Sequence, residues 1–135
     1  MKLKSILLSA IAISLTVRAD LVVKVDEPKT VAQKTVIKVD LKNAFPEKIE
    51  SARAAIFLLD EHGKIVGQST KWVIGGTKAN PGLDAGKEMT FNFVVQAQRP
   101  IVTTNLTSKI TFSRVVLEGG KLADPTKQVR IINHP

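Results

Sequence analysis

Met89-Thr90-Phe91-Asn92-Phe93-Val94-Val95 is the stretch on which the fold turns. Successive side chains of an extended chain point to opposite faces, so Met89, Phe91, Phe93 and Val95 share one side. Thr90, Asn92 and Val94 share the other, and Gln96 continues that parity. A helix would repeat its apolar positions every three or four residues, and this stretch does not. It predicts a β-strand with its bulky face in a core and its other face partly wet.

The neighbouring segments read the same way. Residues 35–41 put Ile37, Val39 and Leu41 on one face and Val36, Lys38 and Asp40 on the other. Residues 54–59 are apolar on both parities, which predicts a central strand buried on two faces. Asp60-Glu61-His62-Gly63 then reads as a turn in which Gly63 can take a positive φ. Residues 64–74 return as its hairpin partner, and their polar middle, 68–71, marks an edge. Residues 75–87, rich in Gly, Asn and Pro, read as a loop. Residues 106–117 form a long strand whose apolar parity changes near Arg114, which predicts a bulge. Residues 21–25 and 128–132 supply the first and last strands. Residues 43–50, containing Pro46, read as an irregular crossing between sheets, and residues 118–121 as a turn.

Seven short strands separated by turn residues predict an all-β, immunoglobulin-like antiparallel β-sandwich over residues 20–135. A closed barrel of the same strand count is the alternative. No amphipathic period of 3.6 and no internal repeat occur after residue 19.

Residues 1–19 have the three zones of a secretory signal peptide. Lys2 and Lys4 supply the basic start, an apolar run extends from Ile6 to Val17, and Val17 and Ala19 occupy positions −3 and −1. Cleavage is expected between Ala19 and Asp20. The apolar run is shorter than the roughly 20 residues a membrane-spanning helix needs, so no stable membrane anchor is expected after cleavage. The expected location is periplasmic or secreted, in a bacterium.

The formal net charge of the chain is +8, and losing Lys2, Lys4 and Arg18 lowers it to +5. The remaining cations are scattered singly along the sequence: Lys24, Lys29, Lys34, Lys38, Lys42, Lys48. Nucleic-acid binders gather charge in a stripe with stacking aromatics, so no nucleic-acid partner is expected. A mildly cationic surface of this kind favours anionic polymers or lipid headgroups weakly. The chain has no cysteine. That excludes disulfides, thiol catalysis, thiolate metal sites and a lipoprotein anchor, and leaves the core alone to hold the domain. At 116 residues after cleavage, the chain is long enough to bury about two thirds of its unfolded surface.

The hairpin Ile56-Phe57-Leu58-Leu59-Asp60-Glu61-His62-Gly63-Lys64-Ile65-Val66-Gly67 resembles the FxLYD-type immunoglobulin-like domains of exported prokaryotic proteins. Leu83-Asp84-Ala85-Gly86-Lys87 is similar to that family's Leu-x-Pro-Gly-Glu turn. The sequence departs from the pattern at Ile56 (Phe in the family), Leu59 (Tyr) and Ala85 (Pro). The resemblance covers residues 35–95 and implies an accessory domain with no chemistry of its own.

The residue inventory points away from catalysis. His62 stands beside Asp60 and Glu61 in the turn, where polar residues serve solubility and local hydrogen bonding. His134 is next to the C-terminus. No Gly-x-Ser-x-Gly occurs, and nearly every Asp and Glu falls at a strand end or in a turn, so no catalytic residues, metal site or cofactor is expected. Asn105-Leu106-Thr107 matches a glycosylation sequon but is discounted in a bacterial chain. Among the aromatics, Phe57, Phe91, Phe93 and Phe112 fit core parities. Phe45 and Trp72 are the candidates for surface contact, with Trp72 expected in the core on average burial. Gly75 and Gly76 follow Trp72 and complete the candidate contact set. The expected function is a non-enzymatic exported module acting through protein–protein contacts at the cell envelope. The alternative is a carbohydrate- or polymer-binding module using residues 72–80, favoured if Trp72 is exposed in a groove.

Overall fold

The computed structural model describes residues 19–97, 100–101 and 105–133. The expected signal peptide falls, but for Ala19, on residues outside those described, as does His134. The described residues form nine strands: β1 (Leu21–Val25), β2 (Lys29–Val31), β3 (Lys34–Asn43), β4 (Ile49–Leu59), β5 (Ile65–Ile74), β6 (Glu88–Gln96), β7 (Thr107–Leu117), β8 (Lys121–Leu122) and β9 (Val129–Asn133). All seven expected strands are among them. The two additions, β2 and β8, span three and two residues, too short for alternation to register in a sequence.

Two sheets result. In the first, β3 pairs along one edge with β6, from Lys34↔Gln96 to Lys42↔Glu88. Its other edge is shared end to end by β2 and β1. Outside β1 lies β9, and this pairing is parallel, Leu21↔Val129 to Val25↔Asn133, so the sheet is mixed rather than purely antiparallel. The second sheet has the order β5-β4-β7-β8 and is antiparallel throughout.

The core lies between the sheets. Val23, Ile37, Val39, Leu41, Phe93 and Val95 enter it from the first, and Ala54, Ile56, Leu58, Ile110 and Val115 from the second. Phe91 and Phe93 meet edge to face, ring centroids 5.0 Å apart, so the decisive strand seats its aromatic parity inward as expected. The bulge in β7 is also present. Arg53 pairs with Arg114 but Ala54 pairs with Phe112, leaving Ser113 as the extra residue. The inward positions change from Ile110 to Val115 and Leu117 across it.

Burial of residues 54–59 on two faces is corrected. Only Ala54, Ile56 and Leu58 are fully buried; Ala55, Phe57 and Leu59 are half-buried, because no third layer among the described residues covers the outer face of the second sheet. The crossing after β3 is held by Asn43, a fully buried polar side chain. Its Nδ2 donates to the carbonyls of Glu47 and Leu83, both at 2.9 Å, and its Oδ1 accepts from the Phe45 N–H at 2.8 Å.

Candidate functional site

The outer face of the second sheet carries the candidate site. Register partners in a sheet share a face. On β4, Arg53 lies between Trp72 of β5 and Arg114 of β7. The next rows place Ala55 between Thr70 and Thr111, Phe57 between Gln68 and Lys109, and Leu59 between Ile65 and Thr107. Arg53 stacks on Trp72, its guanidinium carbon 6.0 Å from the ring centroid. No Asp or Glu occurs in these four rows, so three cations and an aromatic share the outer face with a half-buried apolar column through its middle.

Trp72 is 41% exposed, and its expected place in the core is corrected. The cause is a register shift: Ala52 pairs with Ile74 and Arg53 with Trp72, so Val73 is an extra residue. Val73 and Ile74 are both buried, and Trp72 is turned outward. Phe57, also expected in the core, lies on the outer face for the parity reason given above.

Phe45 does not contribute to a surface. It is 3% exposed and packs in the core, drawn inward by the hydrogen bond from its N–H to Asn43. Gly75 is buried and serves packing instead: at φ 72°, a Cβ there would lie 2.2 Å from the Glu50 carbonyl. Gly76 lies beneath Trp72, where a Cβ would stand 3.0 Å from the tryptophan Cβ. Gly75 lets the loop pass close to β4, and Gly76 lets it pass close to the Trp72 side chain. Of the four expected contact residues, the structure keeps Trp72 at the surface and places Gly76 against it.

Sequence reasoning missed Arg53 and Arg114. Arg53 was legible as a charge set among Ala52, Ala54 and Ala55. Arg114 was hidden by the bulge, which reverses the parity that would have assigned its face.

At one end of the sandwich, the β1–β2 and β4–β5 connections and the start of β7 enclose an open hollow lined by Asp26, Glu27, Asp60 and Glu61 among others. The Asp60 carboxylate is committed locally. Its Oδ1 accepts from the backbone N–H of Lys64 and of His62, each at 2.9 Å. The Lys64 bond leads in holding its pKa below the usual carboxylate value. The His62 side chain is 82% exposed, with Nε2 3.8 Å from Glu61. Among the described residues, no three His, Cys, Asp or Glu side chains gather as metal ligands would. No helix among them is long and apolar enough to cross a membrane.

No protein-family model and no curated protein matches the chain. Among solved structures, it is similar to a protein of Bordetella pertussis described as ApaA, at 19% identity and a TM-score of 0.58, covering 80% of this chain and 89% of that one. It is also similar to a Northeast Structural Genomics Consortium target, at 11% identity and a TM-score of 0.51, covering 77% of this chain and 76% of the other. At these identities the likeness concerns the fold alone: the chain has the architecture of a two-sheet β-sandwich domain.

Proposed function

We propose that this protein is an exported, non-enzymatic, immunoglobulin-like module that binds a partner protein at the bacterial envelope through the outer face of β4, β5 and β7. The observation that carries the reading is the exposed Trp72, stacked with Arg53 on a face with no acidic side chain in its rows. Trp and Arg dominate the energetics of protein interfaces, because each offers a large contact area together with a polar group. The contact side chains spread over four register rows of an open sheet face, which suits a protein face better than a small ligand. Its cations select a partner with acidic groups opposite them. The connectivity supports the immunoglobulin-like part, since the chain crosses between sheets after β3, β5, β6 and β8.

A photo-crosslinking residue at position 72, set beside one at Asn92 on the opposite sheet, tests the site in envelope extract. The expected result is a discrete adduct from position 72 alone, lost on Arg53→Glu. Equal adducts from both positions refute the assignment. Export is tested by intact mass of the protein recovered from its host, which is expected to begin at Asp20. A carbohydrate platform is the second reading, favoured by the same exposed indole. Retardation in a polysaccharide gel that Trp72→Ala abolishes would move the assignment there.

A further inference from the structure

Cations that are scattered in sequence are gathered by the first sheet. The outward-facing positions of β1, β2, β3 and β9 carry Lys24, Lys29, Lys34, Lys38, Lys42 and Arg130, all exposed. Among the paired strand positions of that face only two acids, Asp40 and Glu88, occur. Among the described residues this is six of sixteen Lys and Arg against two of twelve Asp and Glu, so the rest of the molecule holds ten of each. The paired strand positions on one side of one sheet therefore carry a net positive charge as large as that of all the described residues together. This corrects the expectation of evenly scattered charge: a spacing of four or five residues along a sequence becomes one face when turns and even-numbered steps preserve parity.

Apolar side chains lie within this face. Val36 and Val94 are direct cross-strand partners, and Val31, opposite Lys34, lies diagonally beside Val36. They are 36%, 52% and 74% exposed. Lys29, Lys34 and Lys38 surround them. Among the described residues no aromatic side chain stands on this side, so a single-stranded polymer finds nothing to stack on.

We infer that the outer face of β1, β2, β3, β6 and β9 docks on an anionic lipid surface, with the lysines on headgroup phosphates and Val31, Val36 and Val94 at the boundary with the acyl chains. Charge complementarity names the occupant, and the exposed valines within the lysines favour a bilayer over a dissolved polyanion, which offers them nothing apolar. Lys34, Lys38 and Lys42 stand about 13 Å apart along β3. That exceeds the Debye length of roughly 8 Å at physiological salt, so the lysines repel one another little and each can meet a separate headgroup. The contact is peripheral and reversible, and it leaves the Trp72 face on the opposite sheet free.

Sedimentation with vesicles of phosphatidylcholine, alone or mixed with phosphatidylglycerol, tests this with the purified protein. Binding is expected to the mixed vesicles only and to fall as salt is raised. The triple variant Lys34→Gln, Lys38→Gln, Lys42→Gln is expected to weaken it on the order of a hundredfold at low salt. Val36→Ser with Val94→Ser is expected to weaken it while leaving the salt dependence unchanged, and Trp72→Ala is expected to have no effect. All these side chains are exposed, and an unchanged circular dichroism spectrum excludes misfolding. Equal binding to neutral vesicles overturns the inference, as does full binding by the lysine variant. Binding to soluble polyphosphate as tight as to vesicles, with no effect of the serine substitutions, assigns the face to a polyanion and overturns the lipid reading.

Discussion

Replacing Asn43 by alanine removes the device that turns the chain from one sheet to the other. Three hydrogen bonds are lost, but the three partners are not left alike. The Leu83 carbonyl also accepts from the Ile49 N–H at 2.9 Å and so keeps one bond. The Glu47 carbonyl lies at a half-buried residue, within reach of water. The Phe45 N–H is buried and is left without its acceptor. An orphaned buried donor costs about 1–3 kcal/mol, and each of the other two bonds contributes about 0.5–1.5 kcal/mol. The expected loss is therefore about 2–6 kcal/mol, a large share of the roughly 5–15 kcal/mol that holds a small domain together. Asn43→Asp separates the contributions. It keeps the acceptor for Phe45 but faces two carbonyls with a charge and no proton. The carboxyl's folded pKa is then raised above its unfolded value of about 3.9, so the penalty is largest near pH 7 and shrinks as pH falls. Urea melts of parent and both variants at pH 7 and pH 5 read these effects. A loss below about 0.5 kcal/mol for Asn43→Ala, or an Asp penalty that does not change between the two pH values, refutes the account.

Phe93→Ala is expected to cost about 3–5 kcal/mol, because the ring is 1% exposed and in edge contact with Phe91. Asn92→Ala, on the exposed parity one residue away, is expected to cost less than about 0.5 kcal/mol, and paired denaturant melts compare them. Gly75→Ala is expected to lower the melting temperature well beyond Gly119→Ala: both take a positive φ, but only at Gly75 does the new Cβ meet a backbone carbonyl. Asp124 has its pKa lowered, first by the Thr126 hydroxyl and then by the Thr126 N–H, as Asp60 has by Lys64. A depressed folded pKa gives stability that is present above about pH 4 and is lost as pH falls through the folded value. Asp60→Asn and Asp124→Asn should therefore melt below the parent at pH 7 and approach it below pH 4, which a scan of melting temperature against pH checks.

Strand identity was legible because two-residue alternation is a local signal: the parities of residues 35–41 and 89–95 are those the sheets use. The bulge at Ser113 was legible for the same reason, since a change of phase is itself a pattern. The outward turn of Trp72 was not. It depends on a one-residue shift against β4 at Val73, after which only Ile74 remains in the strand, too little for the change of phase to show as a pattern. The apolar run of residues 54–59 shows a second limit. Residue type does not distinguish a face covered by a sheet from one left open, so Phe57 read as core. The lysine face lay in plain view as a spacing, but only the pairing of β1, β2 and β9 around β3 puts those positions on one side.

The parallel pairing of β1 with β9 bears on how the molecule reaches its native state. Leu21 and Val129 are among the most distant residues in the folded sequence, yet they are neighbours in the finished sheet. Closing so long a loop costs entropy before any contact rewards it, whereas the β4–β5 hairpin closes over five intervening residues, 60–64, and can form early. The second sheet is thus the natural nucleus, and the first stays open on its β1 side until the final strand has left the ribosome. A chain halted before residue 129 would present β1 as an unpaired edge, with the aggregation risk that such edges carry. Its folding rate therefore belongs with the slow all-β domains, in milliseconds to seconds.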